Sequence, residues 1–281
     1  MKIRAGYAIG YECLQATPMI LCLSVHPSRR PALITPDRMR LHPDLPTTAY
    51  RDGFDNICHV VNAPLGQMTI SADFIVEDSG EPDDVAPAGG YHALGELPVE
   101  TLAFLLGSRY CETDRLSDFA WSTFGNVSKG GTLVQAICDF VHTEVEFGYQ
   151  HANATRTAFD TFNERRGVCR DFAHLAITLC RCMNIPARYC TGYLGDIGIP
   201  PDQSPMDFSA WFEAYLNGRW YTFDARHNTR RIGRILIAQG RDATDVAIVT
   251  SFGPHNLIAF NVIAEELAED HAKTPSRQAF V

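Results

Sequence analysis

Gly167-Val168-Cys169-Arg170-Asp171-Phe172-Ala173-His174-Leu175-Ala176-Ile177-Thr178-Leu179-Cys180-Arg181-Cys182-Met183 is the stretch on which the fold turns. Phe172, Leu175, Ala176, Leu179 and Met183 recur at helical spacing and share one apolar face. Gly167 interrupts the chain just before them, and Asn184-Ile185-Pro186 stops the pattern just after. Cys169 therefore stands in the first turn of a helix that packs on a core. A thiolate there is favoured by the positive end of the helix dipole and by the guanidinium groups of Arg165, Arg166 and Arg170. The free N–H groups of the same turn are placed to stabilise a developing oxyanion. Isolated cysteines are more often inert buried thiols. It is position that separates Cys169 from Cys13, Cys22, Cys58, Cys111, Cys138, Cys180, Cys182 and Cys190.

Downstream, Ser209-Ala210-Trp211-Phe212-Glu213-Ala214-Tyr215-Leu216 and Arg219-Trp220-Tyr221-Thr222-Phe223-Asp224 alternate like strands around Asn217-Gly218, a strong two-residue hairpin signal. Such a turn sets Leu216 opposite Arg219, Trp211 opposite Asp224 and Ser209 opposite Arg226. Ser209 and Asp224 become diagonal neighbours about 7–8 Å apart on one face. Serine is too short to reach Asp224 directly.

Upstream, Ile3–Cys13, Met19–Val25, Asn56–Val61 and Met68–Val76 read as short strands separated by Pro and Gly, with a Pro- and Arg-rich connection over 31–48. Residues 81–90 have linker composition, and helices are expected from Pro98 onward, at Val99–Leu106 and Gly131–His142. The expected fold class is α+β: an N-terminal antiparallel β-sandwich over residues 1–80, a linker at 81–96 and a core domain over 97–281.

Gly167 to Ala173, Ile185-Pro186-Ala187-Arg188, Gly192-Tyr193 and the hairpin ending in Phe223-Asp224 together resemble the bacterial transglutaminase-like superfamily, of the cysteine protease type with a β-rich N-terminal domain. The resemblance spans nearly the whole chain. It implies a papain-like core in which a Cys at a helix start, a His on the first hairpin strand and an Asp on the second form a triad. Cys169 and Asp224 match that pattern. The family's His-Ala-Trp is Ser209-Ala210-Trp211 here, so Ser209 occupies the expected His position.

His227, three residues past Asp224, is the candidate base. It reaches the site only if the strand ends near Ala225 and the chain turns back at Asn228-Thr229. His174 should project from the helix into the core, and His255 lies in a turn-like segment. Arg226 is a possible ion-pair partner of Asp224. Trp211 and Arg170 are expected to border the substrate cleft, with the Gly- and Pro-rich loop over 196–207 beside it.

The implied chemistry is acyl transfer on a peptide or amide substrate, with hydrolysis preferred. Transamidation, a catalytically impaired peptide-binding protein and a redox-sensing thiol protein are the alternatives. Only three lysines occur, Lys2, Lys129 and Lys273, which limits self-crosslinking. No cofactor is expected, and no metal: Cys180, Cys182 and Cys190 cluster in sequence without nearby His ligands. A net charge of −9 argues against nucleic acid as partner. No apolar run approaches the ~20 residues of a membrane helix, and no signal-peptide core follows Met1, so a cytoplasmic location is expected. Hydrophobic residues at 46% and charged residues at 20% suit a packed globular chain.

Overall fold

A computed structural model describes residues 1–201 and 206–267. The first strand, β1 (Lys2–Cys13), turns Ile3, Ala5, Tyr7, Ile9 and Tyr11 into the core. It pairs antiparallel with β6 (Gly66–Glu77) in one unbroken register from Lys2↔Glu77 to Cys13↔Gly66. Along β6 the alternation is plain: Met68, Ile70, Ala72, Phe74 and Val76 are buried. Gly6 belongs where it is because a Cβ there would meet the Ala72 carbonyl oxygen at 2.5 Å.

A second sheet is built on β2 (Thr17–Leu21) and β5 (Ile57–Ala63). The connection expected over 31–48 is partly strand. Its short pieces β3 (Arg40–His42) and β4 (Thr48–Arg51) edge the first and second sheets respectively. Three or four mostly exposed residues carry no apolar alternation, which is why the sequence pattern gives no sign of them. The inward residues of both sheets join one hydrophobic core, in a sandwich arrangement.

The middle of the chain supplies four helices: α1 (Thr113–Phe124), α2 (Gly131–Glu144), α3 (Ala158–Glu164) and α4 (Cys169–Cys182). The helix expected at Val99–Leu106 is a 3-10 segment, Val99–Leu105. A short parallel pair, β7 (Glu146–Phe147) and β8 (Arg166–Gly167), leads into α4. The third sheet has the order β11-β10-β9-β12, with β9 (Ala187–Tyr193), β10 (Ser209–Leu216), β11 (Arg219–Phe223) and β12 (Ile235–Gly240).

Helix α4 is the axle of this half, packed by α1, α2 and α3 and by β9 and β10. Its polar residues are buried with its apolar ones, each given partners. Arg181, 3% exposed, donates to the carbonyls of Ala187, Leu106 and Arg241 and to Ser108 Oγ. His174 accepts the Ala243 N–H on Nε2 at 3.1 Å and stacks on Tyr110, 5.0 Å between ring centroids. The helix is therefore enclosed on all sides rather than amphipathic at a surface.

The chain then returns. β13 (Val249–Ser251) pairs with β2, and β14 (His255–Leu267) pairs with β1 along its length, with a bulge at Gly10/Tyr11. His255, expected in a turn, opens β14 and packs its ring edge on Tyr11. The N-terminal sheets are thus β14-β1-β6-β3 and β13-β2-β5-β4, completed by the last described strands. Among the described residues no helix is long and apolar enough to cross a membrane.

Candidate active site

The site begins with the local reason that α4 starts where it does. Asp171, fully buried in the first turn, reaches back so that its Oδ2 accepts the Val168 N–H at 2.9 Å and a guanidinium N–H of Arg156 at 3.4 Å. That side chain lies over Gly167, where a Cβ would come within 2.6 Å of Asp171 Cβ. The glycine is demanded by this close approach, and Cys169 follows it as the first helical residue. The Asp171 N–H is taken by the Val168 carbonyl at 2.8 Å, which leaves the N–H groups of Cys169 and Arg170 as the orphan donors of this helix start.

Eight of the nine cysteines are buried; Cys169 alone is partly exposed. Burial pushes its thiol up to about 11, against the opposing pull of the Arg226 guanidinium and the Ala210 backbone N–H, while the carboxylates of Asp207 and Asp224 add to the rise. The arginines expected to assist it face elsewhere. Arg165 lies over the Phe162 ring at 4.5 Å and pairs with Glu144, Arg166 pairs with Glu164, and Arg170 donates to the Asn153 carbonyl and lies near Asp171. Arg226 takes that electrostatic part. Its guanidinium rests on the Phe147 ring at 3.8 Å, and its carbonyl accepts from His142 Nδ1 at 2.9 Å.

The hairpin forms with Leu216 opposite Arg219, and Asn217 and Gly218 both take positive φ, 49° and 82°. Pairing ends at Phe212↔Phe223, so the facing of Ser209 with Arg226 does not occur. The chain instead turns. Asp224 Oδ1 accepts the N–H groups of Arg226 and His227, each at 3.0 Å, and the Asp224 carbonyl accepts the Asn228 N–H at 2.8 Å. Asn228 completes the reversal at φ 50°. This fold-back brings His227 Nδ1 to 2.8 Å from Asp224 Oδ2.

The Asp224 side chain is only 3% exposed and accepts a further bond on Oδ2, from Arg234 Nη2 at 2.9 Å. Burial alone would raise its carboxyl. The bond from His227, the Arg234 charge and the turn N–H groups overcome that and hold it well below the ordinary carboxylate value. Its ion-pair partner is Arg234, ten residues on, and not Arg226. The expected Arg226 pairing fails because the strand stops at Phe223 and Arg226 leans onto Phe147.

A cavity of about 460 Å³ opens here, lined by Ser209, Arg226, His227, Asp207 and Tyr149, with Leu194, Ile199, Met206 and Val262 among its apolar walls. Arg226 and Asp207 are also the side chains that bear on the Cys169 thiol, and Tyr149 feels its charge. Ser209 and His227 thus share a pocket with two side chains that bear on the thiol, while Asp224 lines a separate cavity with Thr132, Asp139 and Phe223. Trp211 does not line the pocket of Ser209 and His227. The ring is 2% exposed, stacks on the Arg234 guanidinium at 5.0 Å and packs with Cys190 and Leu236. Arg170 does not line the pocket either. His174 is a buried imidazole that burial lowers to about 3, and His255 lies on β14 at the Tyr11 ring. Of the loop expected beside the cleft, Asp196, Ile199, Met206 and Asp207 line the pocket; residues 202–205 lie outside the described residues.

Arg234 and Tyr149 were not legible as site residues, and Arg226 was expected only as an ion-pair partner of Asp224. The local signal that existed was Asp224 followed at three residues by His227 and then Asn228, an Asp-led turn closed by a residue that tolerates positive φ.

A partly exposed thiol at a helix start, on helices packed against an antiparallel sheet, is an arrangement suited to cysteine-based chemistry. Residues 118–225 match the family model of the transglutaminase-like superfamily. A crystal structure from Cytophaga hutchinsonii, described as a candidate cysteine protease, is 31% identical and superposes with a TM-score of 0.80 over 95% of this chain and 91% of that one. An uncharacterized protein of Mycobacterium leprae is 36% identical over 95 residues, 32% of this chain and 33% of that protein. One from Mycobacterium tuberculosis is 27% identical over 218 residues, 70% of this chain and 68% of that protein. The chain belongs to the transglutaminase-like superfamily, whose chemistry is cysteine-based.

Proposed function

We propose that the chain cleaves amide bonds in peptide substrates, with Cys169 as nucleophile, His227 as its base and Asp224 as the group that orients and charges that base. The observation that carries this is the 2.8 Å bond between His227 Nδ1 and Asp224 Oδ2, with His227 in a pocket whose Arg226 and Asp207 also bear on the one partly exposed thiol. With Nδ1–H donated to Asp224, the neutral imidazole keeps Nε2 free to accept a proton. The Cys169 thiol gives its proton to His227 as sulfur bonds to the scissile carbonyl carbon. The tetrahedral oxyanion meets the N–H groups of Cys169 and Arg170 at the start of α4. On collapse the C–N bond breaks, and the leaving amine takes the proton from His227. Water, deprotonated by the same imidazole, then releases the acid and restores the thiol.

The chain order under this reading is Cys169, Asp224, His227, with the base beyond the acid instead of on the hairpin strand before it. Ser209 supplies room where the family carries its imidazole. Residues 97–240 carry the chemistry, and the sheets of residues 1–80, with the strands at 249–267, support it.

A second reading, an impaired member that binds peptides in the pocket, draws on one observation: burial holds the thiol up at about 11. The two part on the rate of Cys169 alkylation by iodoacetamide between pH 5 and 9, with Cys169→Ser as control. Hydrolysis predicts labelling below pH 7 that His227→Ala reduces about a hundredfold. Labelling confined to pH above 8 and indifferent to His227→Ala would select the binding reading. An assay of ammonia or amine release against incorporation of a primary amine then separates hydrolysis from transamidation.

A further inference from the structure

Behind Asp224 stands a second layer of charge drawn from distant parts of the chain. Arg234, whose side chain is 7% exposed, donates through Nη2 to Asp224 Oδ2 at 2.9 Å and through Nε to Asp83 Oδ2 at 2.9 Å. Asp83 belongs to the segment expected to be a plain linker. Its carboxylate also accepts the Arg231 N–H at 3.0 Å, its own N–H donates to the Arg231 carbonyl at 2.8 Å, and its carbonyl accepts from Arg230 at 3.2 Å. The segment is therefore anchored on both its backbone and its side chain. The face of Trp211 covers the Arg234 guanidinium at 5.0 Å and fixes its plane.

We propose that Arg234, clamped between Asp83 and Trp211, is the positioning residue that sets the Asp224 carboxylate in the orientation needed to hold His227. The carboxylate must present Oδ1 to the two N–H groups of its own turn and Oδ2 to an imidazole. Oδ2 receives His227 Nδ1 and Arg234 Nη2 together. Rotation about the side chain would move both. A guanidinium held at two points prevents that rotation, whereas the two turn bonds, both on Oδ1, leave Oδ2 free to swing. Asp83 does the same for Arg234: with one carboxylate at Nε and another at Nη2, its rotamer has one solution. By this chain of bonds, a residue well over a hundred positions before Asp224 governs the imidazole.

This inference rests on His227 acting with Cys169, and the test separates the two. The readouts are the iodoacetamide rate at Cys169 at pH 6.5 in the full chain, the low-field NMR signal of the His227 Nδ1–H, assigned with His227→Ala, and the urea midpoint. Arg234→Gln should lower the rate about ten- to hundredfold, the worth of one charge-assisted hydrogen bond. It should also broaden or remove the low-field signal. Asp83→Asn should do both to a smaller degree. Arg234→Lys, which keeps the charge but not the fork, should fall between Arg234→Gln and the unsubstituted protein. If any one variant does not fold, the other two carry the comparison. A lowered urea midpoint with rate and signal unchanged in all three would overturn the proposal and leave the pair a structural tie. If His227→Ala itself leaves the rate unchanged, the functional reading fails and this inference falls with it. If His227→Ala slows alkylation while Arg234→Gln does not, only this inference fails.

Discussion

Replacing Asp224 by Asn keeps the shape of the side chain and removes its charge, in a place where four donors converge on it. Two are backbone N–H groups at 3.0 Å, one is His227 Nδ1 at 2.8 Å and one is Arg234 Nη2 at 2.9 Å. The amide oxygen of Asn can keep the turn N–H groups, but its NH₂ group then opposes Arg234 and His227, both donors. The two charge-assisted bonds lost are each worth about 1.5–3 kcal/mol, and a buried guanidinium is left short of one carboxylate. The expected loss at pH 7 is about 3–5 kcal/mol, a fall of roughly 1 M or more in urea midpoint for a slope near 3 kcal/mol/M. The loss should also follow pH. The folded carboxyl is held well below its ordinary value, so its contribution is fully present above the unfolded value of about 4 and is lost as pH falls through the folded one. The gap between the two proteins should stay level from pH 8 to about 5 and narrow below about 4. Urea titrations at pH 7, 5 and 3.5 measure it. A gap under about 1 kcal/mol at pH 7, or one that does not narrow at pH 3.5, would refute the account of Asp224 as a buried, fully accepted anion.

Arg226→Gln removes the guanidinium that opposes the burial of the thiol, so Cys169 alkylation should shift to higher pH with little change in urea midpoint. Gly167→Ala brings a Cβ within 2.6 Å of Asp171 Cβ and should cost about 1–3 kcal/mol in thermal or urea unfolding, with slower alkylation of Cys169. Gly218→Val forces a β-branched residue to φ 82° in the hairpin turn and should cost about 1–3 kcal/mol by the same unfolding measurement, and Gly218→Asn much less.

What the sequence makes legible here is what local chemistry decides. The start of α4, its glycine, the strands β1 and β6 and the Asn217-Gly218 turn each declare themselves within a dozen residues, by periodicity or by a backbone angle that few residues accept. Cys169 and Asp224 are readable because they sit at fixed offsets within such elements. The return of His227 is half legible: the turn residues are present, but alternation predicts the opposite face until the strand is known to end at Phe223. Arg234 and Asp83 are not legible at all. Nothing within a helical turn or a strand pair relates them to Asp224, and their meeting depends on the packing of three distant segments. The strands after Asp224 escape notice for a related cause. Ile235-Leu236-Ile237-Ala238 is an unbroken apolar run, which a buried strand and a helix share, and β14 is mostly exposed until Val262.

The pairing of β1 with β14 has a consequence for how the chain comes to be folded. β1 is an inner strand, and one of its two neighbours lies more than 240 residues later. During synthesis the first sheet can assemble β1, β6 and β3 early, yet it keeps an open, largely apolar edge until residue 267 has emerged. The whole middle of the protein, α4 and the third sheet included, must be made and kept from competing for that edge in the meantime. A ribosome-bound chain stopped near residue 248 would expose it, and should be captured by a holdase or aggregate where the chain extended through residue 267 does not.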